Sequence, residues 1–98
     1  MTINKIPDGT TLNLEIVGRL DTVTAPQLEE ELKSISEDVK KLVLDFAQLE
    51  YISSAGLRVL LKTQKTMMKK GQMVIRNAND SIKEVFELTG FMDFLTLE

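Results

Sequence analysis

The residues of this chain with most scope for chemistry are Ser53 and Ser54. They are adjacent hydroxyls in the run Tyr51-Ile52-Ser53-Ser54-Ala55-Gly56-Leu57-Arg58. A short apolar run, Leu42 to Phe46, precedes them, and an amphipathic stretch, Leu57 to Lys70, follows. Both hydroxyls therefore fall where a strand hands over to a helix, a place where α/β proteins gather functional groups. The first N–H groups of a helix lack backbone acceptors and carry partial positive charge. A serine there can cap the helix. It can also carry a phosphate in a site that favours negative charge. On position alone the cap is the stronger reading for Ser54, and the two roles are compatible.

Other chemistry is narrowed by what the chain lacks. It has no His and no Cys. Ser-His-Asp and Cys-His nucleophile systems therefore cannot be built, nor can thiolate or imidazole metal sites. With Ser54 as nucleophile, Asp21 or Asp45 would have to act as base, and neither Gly-x-Ser-x-Gly nor Ser-x-x-Lys is present. No Gly-rich phosphate loop occurs either. Glu29-Glu30-Glu31 point in several directions around their helix and read as a solvated helix start, not a metal cluster. The expectation is a protein that is not an enzyme and uses no cofactor or metal.

The elements that must hold the serines are legible from periodicity. At 98 residues, 43% hydrophobic and 28% charged, the chain suits one soluble domain spanning 1–98. Ile3 and Ile6 begin a first strand that ends at Pro7-Asp8-Gly9. Thr11 to Ile16 alternates as a half-buried strand, and the two runs pair as a hairpin. Val17 breaks the alternation, and Gly18 marks a bulge or a close backbone approach. Thr24 and Gln27 form a capping box with Pro26 in the first turn, opening a helix with Ala25, Leu28, Leu32 and Ile35 inward. Leu42 to Phe46 is a strand buried on both faces.

After the serines, Leu57, Leu60, Leu61, Gln64, Met67 and Met68 form an inward stripe, ended by Gly71. Arg58, Lys62, Lys65 and Lys69 make a basic stripe, read first as a solvated face and second as a docking stripe for an acidic partner. Met73 to Ile75 is a strand parallel to Leu42–Phe46 through a right-handed crossover. Asn79-Asp80-Ser81 caps a third helix with Ile82, Val85, Phe86 and Leu88, ended by Gly90, and Phe91 to Leu97 closes as a turn plus a last strand. The fold class is α/β: a mixed four- to five-stranded sheet with helices mainly on one face.

Three pieces of this order resemble the STAS domain of bacterial anti-sigma factor antagonists: Gly18-Arg19-Leu20-Asp21, the run Leu44 to Phe46 with Leu49 to Leu57, and Asn79 to Phe91. The resemblance implies a partner-switching protein. Unphosphorylated, it would bind an anti-sigma factor that is also a serine kinase of the histidine-kinase-like ATPase fold, and sigma factor would be released. Phosphorylation would end binding, and a PP2C-type phosphatase would restore it. Aligned on Gly56-Leu57, the family acceptor falls on Ser54. Ser53 occupies the place of the family Asp and is the alternative acceptor.

The implied partner surface comprises Asp21, Thr22, Ser53, Ser54, Ala55, Gly56 and Arg58. Asp21 is equally well read as a cap in its turn. Similar modules serve as constitutive subunits of lipid transporters or larger signalling complexes, a second function class. A net charge of −3 argues against nucleic acid as partner. No run spans a bilayer and no signal peptide precedes the first strand, so a cytoplasmic location is expected.

Overall fold

Leu12, Leu14 and Ile16 alternate with Thr11, Asn13 and Glu15, and the strand they form buries its apolar side completely. This strand organises the sheet. The structure, a computed structural model, describes residues 1–98. Its elements are β1 (Thr2–Asp8), β2 (Thr11–Leu20), α1 (Ala25–Lys33), β3 (Lys41–Asp45), β4 (Leu49–Ile52), α2 (Ser54–Met68), β5 (Gln72–Arg76) and α3 (Asp80–Thr89), then a 3-10 turn at Phe91–Asp93. The sheet runs β1-β2-β3-β5, with β4 added beside β2. The expected hairpin is present, with Ile3 opposite Ile16 and Asp8 opposite Thr11. β3 and β5 are parallel, as the strand–helix–strand reading requires.

One interior serves all three helices. Leu14 and Ile16 of β2 and Leu42 and Leu44 of β3 join a core that includes Leu28 of α1, Leu60 of α2 and Phe86 of α3. On the opposite side of β3 and β5, Val43 and Val74 are also buried. The central strand is thus closed on both faces, as its unbroken apolar run demands. No polar or charged residue is fully buried.

Gly18 does what the broken alternation of β2 predicts. Its φ of +106° lies where residues with a Cβ are strained, and the pairing register shifts between Gly18 and Arg19. Before this bulge β2 pairs with β3, and after it β2 pairs with β4, whose Ile52 lies beside Leu20. The bulge thereby aims the end of β2 and the end of β4 at the same point, immediately before the serines.

Several expectations are revised. β4 is a strand that the sequence reading does not contain, because its four residues are too few for a periodic signal. Met68 and Leu88, assigned inward positions, are exposed, whereas Val59, unassigned, is buried. The last strand shrinks to a single bridge between Ile75 and Leu97. Glu29 to Glu31 lie beyond the first turn of α1, and each is ion-paired: Glu29 with Lys62 and Lys33, Glu30 with Lys33, Glu31 with Lys5.

Candidate functional site

Ile52 ends β4 in the core, and Ser53 N–H donates to Leu20 O at 2.8 Å, tying the chain to the end of β2. Ser53 is extended (φ −99°, ψ 175°) and is the N-cap of α2. Its Oγ accepts from Gly56 N–H at 3.4 Å, and its carbonyl accepts from Leu57 N–H at 3.0 Å. The cap therefore belongs to Ser53, not to Ser54 as position first suggested. Ser54 is the first helical residue. Its side chain is exposed, and its hydroxyl makes no hydrogen bond within the chain. The N–H groups of Ser54 and Ala55 have no acceptor in the chain, as the geometry of a helix start dictates.

Gly56 explains how α2 can begin so close to the sheet. A Cβ there would lie 2.7 Å from Leu20 Cγ and 2.9 Å from Ile52 Cγ1. Both side chains are buried, so neither can retreat. Gly56, expected on the partner surface, is instead buried beneath it, and its part is to let the helix seat.

Asp21 and Thr22 lie in the turn before α1. Asp21 Oδ1 accepts from Val23 N–H at 3.0 Å and Thr24 N–H at 3.1 Å. Thr24 Oγ1 donates to Arg19 O at 2.7 Å and accepts from Asp21 N–H at 2.9 Å. The expected Thr24–Gln27 capping box is not formed, because Thr24 turns its hydroxyl back into this turn. The Thr24 N–H first, then Val23 N–H, the Thr24 hydroxyl and the Arg19 charge, hold the Asp21 carboxyl below the usual range against the opposing effect of desolvation.

The two junctions adjoin. Arg19 lies over the Tyr51 ring at 4.4 Å from its centroid, with Nε 3.9 Å from Asp21 Oδ2. A groove of about 300 Å³ separates the starts of the two helices, lined by Thr22, Ala25 and Pro26 on one side and Ala55, Arg58 and Val59 on the other. The structure thus brings Thr22, Ala55 and Arg58 together around one groove, with Asp21 in the adjoining turn and Ser54 at the adjoining helix start. Two exposed apolar residues beside these turns were not singled out from the sequence: Tyr51, 43% exposed, and Val23, 84% exposed. An apolar side chain on each flank of the polar motif was the available signal.

No cluster of three Asp or Glu could hold a metal ion, and no helix is long and apolar enough to cross a membrane. The surface offers hydroxyls, the Arg19 and Arg58 guanidiniums, the Asp21 carboxylate and exposed apolar groups.

The family model of the STAS domain matches residues 2–98. A Bordetella bronchiseptica protein named as an anti-sigma factor antagonist, BtrV, is 37% identical over 94 residues, covering 94% of this chain and 79% of that protein. The crystal structure of an anti-sigma factor antagonist from Mycobacterium paratuberculosis superposes with a TM-score of 0.88 at 25% identity, covering 98% of this chain and 83% of that one. The Bacillus cell fate determinant SpoIIAA, solved in its phosphorylated form, shares the fold with a TM-score of 0.76 at 16% identity, over 99% of this chain and 91% of that one. With the sheet order, the bulge-directed junction and the serine pair in place, the chain belongs to the STAS domain family, in which relatives it matches, such as BtrV, are named as anti-sigma factor antagonists.

Proposed function

We propose that this protein is a phosphorylation-controlled anti-sigma factor antagonist of the cytoplasm. Unphosphorylated, it binds an anti-sigma factor that is also a serine kinase of the histidine-kinase-like ATPase fold, and so releases sigma factor. The kinase transfers the γ-phosphoryl group of ATP to the Ser54 hydroxyl, the proton passes to solvent or a kinase base, and ADP leaves. A PP2C-type phosphatase hydrolyses the ester and restores binding.

The observation that carries this reading is the division of labour between the serines. Ser53 holds the helix and Ser54 holds nothing. A phosphate on Ser54 adds about −1.5 to −2 charges beside two unpaired N–H groups, where negative charge is favoured. It stands one turn before Arg58, the spacing at which side chains on a helix meet. The fold tolerates it, while the groove face acquires bulk and charge. A phosphorylated form is known for SpoIIAA, a protein of the same fold.

The test is intact mass and peptide mapping after incubation with ATP and the kinase-fold protein encoded nearest to this gene. One phosphate, mapped to Ser54 and absent from Ser54→Ala, is the expected result. A phosphate on Ser53 would move the switch to the cap. No phosphate, with a partner still bound, would favour the constitutive-subunit class.

A further inference from the structure

Charge is distributed unevenly over this molecule. Between Ser54 and Lys70 stand Arg58, Lys62, Lys65, Lys69 and Lys70, and not one Asp or Glu. All 15 carboxylates lie elsewhere, against the remaining seven of the 12 cations. Within α2 the cations differ in their engagement. Lys62 is held by Glu29 at 2.9 Å, and Lys70 reaches Ser36 O. Arg58, Lys65 and Lys69 are exposed and make no ion pair.

The helical period places these three on one line with Ser54. Steps of four, seven and four residues each return close to the same face. Ser54, Arg58, Lys65 and Lys69 therefore form a single exposed stripe, roughly 22 Å long at about 1.5 Å per residue. The opposite side of α2, with Leu57, Leu60 and Met67, is the buried one.

We propose that this stripe is the docking surface for an acidic face of the protein partner, extending contact from the phosphorylatable serine about four turns along α2 to its C-cap. The inference rests on the partner-switching reading and adds the chemistry of the partner. Free cations in a row supply attraction that pairs already satisfied within the chain cannot. A compact acidic protein patch matches the stripe. A nucleic acid or an anionic membrane would also face the acidic remainder of the molecule and be repelled by it. The stripe explains how one phosphate can act beyond steric bulk. Placed at its head, the phosphate pairs with Arg58 and cancels about half or more of the charge of the three free cations.

The experiment compares the full-length chain with two double variants of equal charge change, each binding the kinase-fold protein encoded nearest to this gene. Lys65→Glu with Lys69→Glu reverses the stripe away from the phosphorylation motif. Lys40→Glu with Lys83→Glu reverses exposed, unpaired cations elsewhere. The stripe variant is expected to lose at least tenfold in affinity, mostly in association rate, and to flatten the salt dependence that the unaltered protein shows. The control variant is expected to keep both, and all three to stay folded, with the stripe variant melting slightly lower because it puts acids at the C-terminal end of α2.

Equal losses in both variants would show a net-charge effect and overturn the stripe. No loss in the stripe variant, while phosphorylation still ended binding, would overturn the stripe and leave the switch standing. No binding by any form would overturn the switch itself. Equal capture of the chain by phosphatidylserine vesicles at the same salt would overturn the choice of a protein partner.

Discussion

The starts of α1 and α2 are both strand-to-helix junctions fed by β2 or its neighbour, and both present oxygen-bearing side chains to the first turn. They differ in how much of that capacity is used. At α1, Asp21 Oδ1 takes two backbone N–H groups, and the Thr24 hydroxyl both donates and accepts. At α2, Ser53 takes one N–H at a long 3.4 Å and Ser54 takes none. A saturated junction is committed to the fold. An unsaturated one has a hydroxyl free to be modified. Oxygen-bearing side chains at equivalent places thus divide by hydrogen-bond accounting into those spent on the fold and one left free.

The comparison breaks most violently if α2 is prevented from seating. Gly56→Val would drive a branched side chain into Leu20 and Ile52, where even a single Cβ comes within 2.7 Å. Overpacking of this kind costs about 3 kcal/mol, on the order of 15 °C in Tm for a domain of this size. Thermal melting checks it, and a melting point unchanged from the parent would mean that the junction is looser than its geometry indicates. No exposed residue of either turn should approach this loss.

Next in size is the cap itself. Ser53→Ala removes the side-chain acceptor of Gly56 N–H and should cost about 1 kcal/mol, or roughly 4–8 °C. Ser53→Asp, which keeps an acceptor and adds a favourable charge at the helix start, should recover most of it. Parallel melts of the two variants decide whether Ser53 acts as the cap.

The α1 junction answers to pH. Asp21 titrates below the ordinary aspartate value of about 3.9, so its charged form is favoured in the folded state. The stability it contributes is therefore complete above the ordinary value. It is lost as pH falls from there through the lowered folded value. Asp21→Asn should lower Tm by a few degrees at neutral pH, and the gap to the parent should close on acidification below about pH 4. A gap independent of pH would assign Asp21 a role without charge.

Much of this contrast was visible in the residues, and the part that was not has a physical cause. Gly18 announced its bulge by interrupting the alternation of β2, and Asn79 announced its cap, with Oδ1 taking Ile82 N–H at 2.8 Å. Both signals are local. β4 was hidden because it exists only through pairing with the far end of β2, a partner some thirty residues away. The role of Thr24 was misread for the same reason. A capping box is defined by spacing, but the hydroxyl chose Arg19 O, which the bulge had brought near. Met67 is buried, but one residue of helix turns Met68 about 100° away from it and leaves it 70% exposed. The serines were legible as a pair and illegible as individuals, because one residue of helix register decides which is the cap.

The smallest stability effect carries the sharpest distinction. Ser54→Ala deletes a hydroxyl with no partner on an exposed first turn, so its cost should stay within about 0.5 kcal/mol. Ser54→Asp puts a carboxylate at the positive end of the helix and should stabilise slightly, by about 0.3–1 kcal/mol at low salt. Its stability and its binding should therefore move in opposite directions: a melting point at or above that of the parent, with affinity for the kinase-fold partner reduced tenfold or more. No residue whose main work is structural can give that pattern, because weakening the fold lowers both together. If Ser54→Asp instead melted lower and bound as well as the parent, Ser54 would be a second cap, and the free hydroxyl that separates the two junctions would have no consequence for binding.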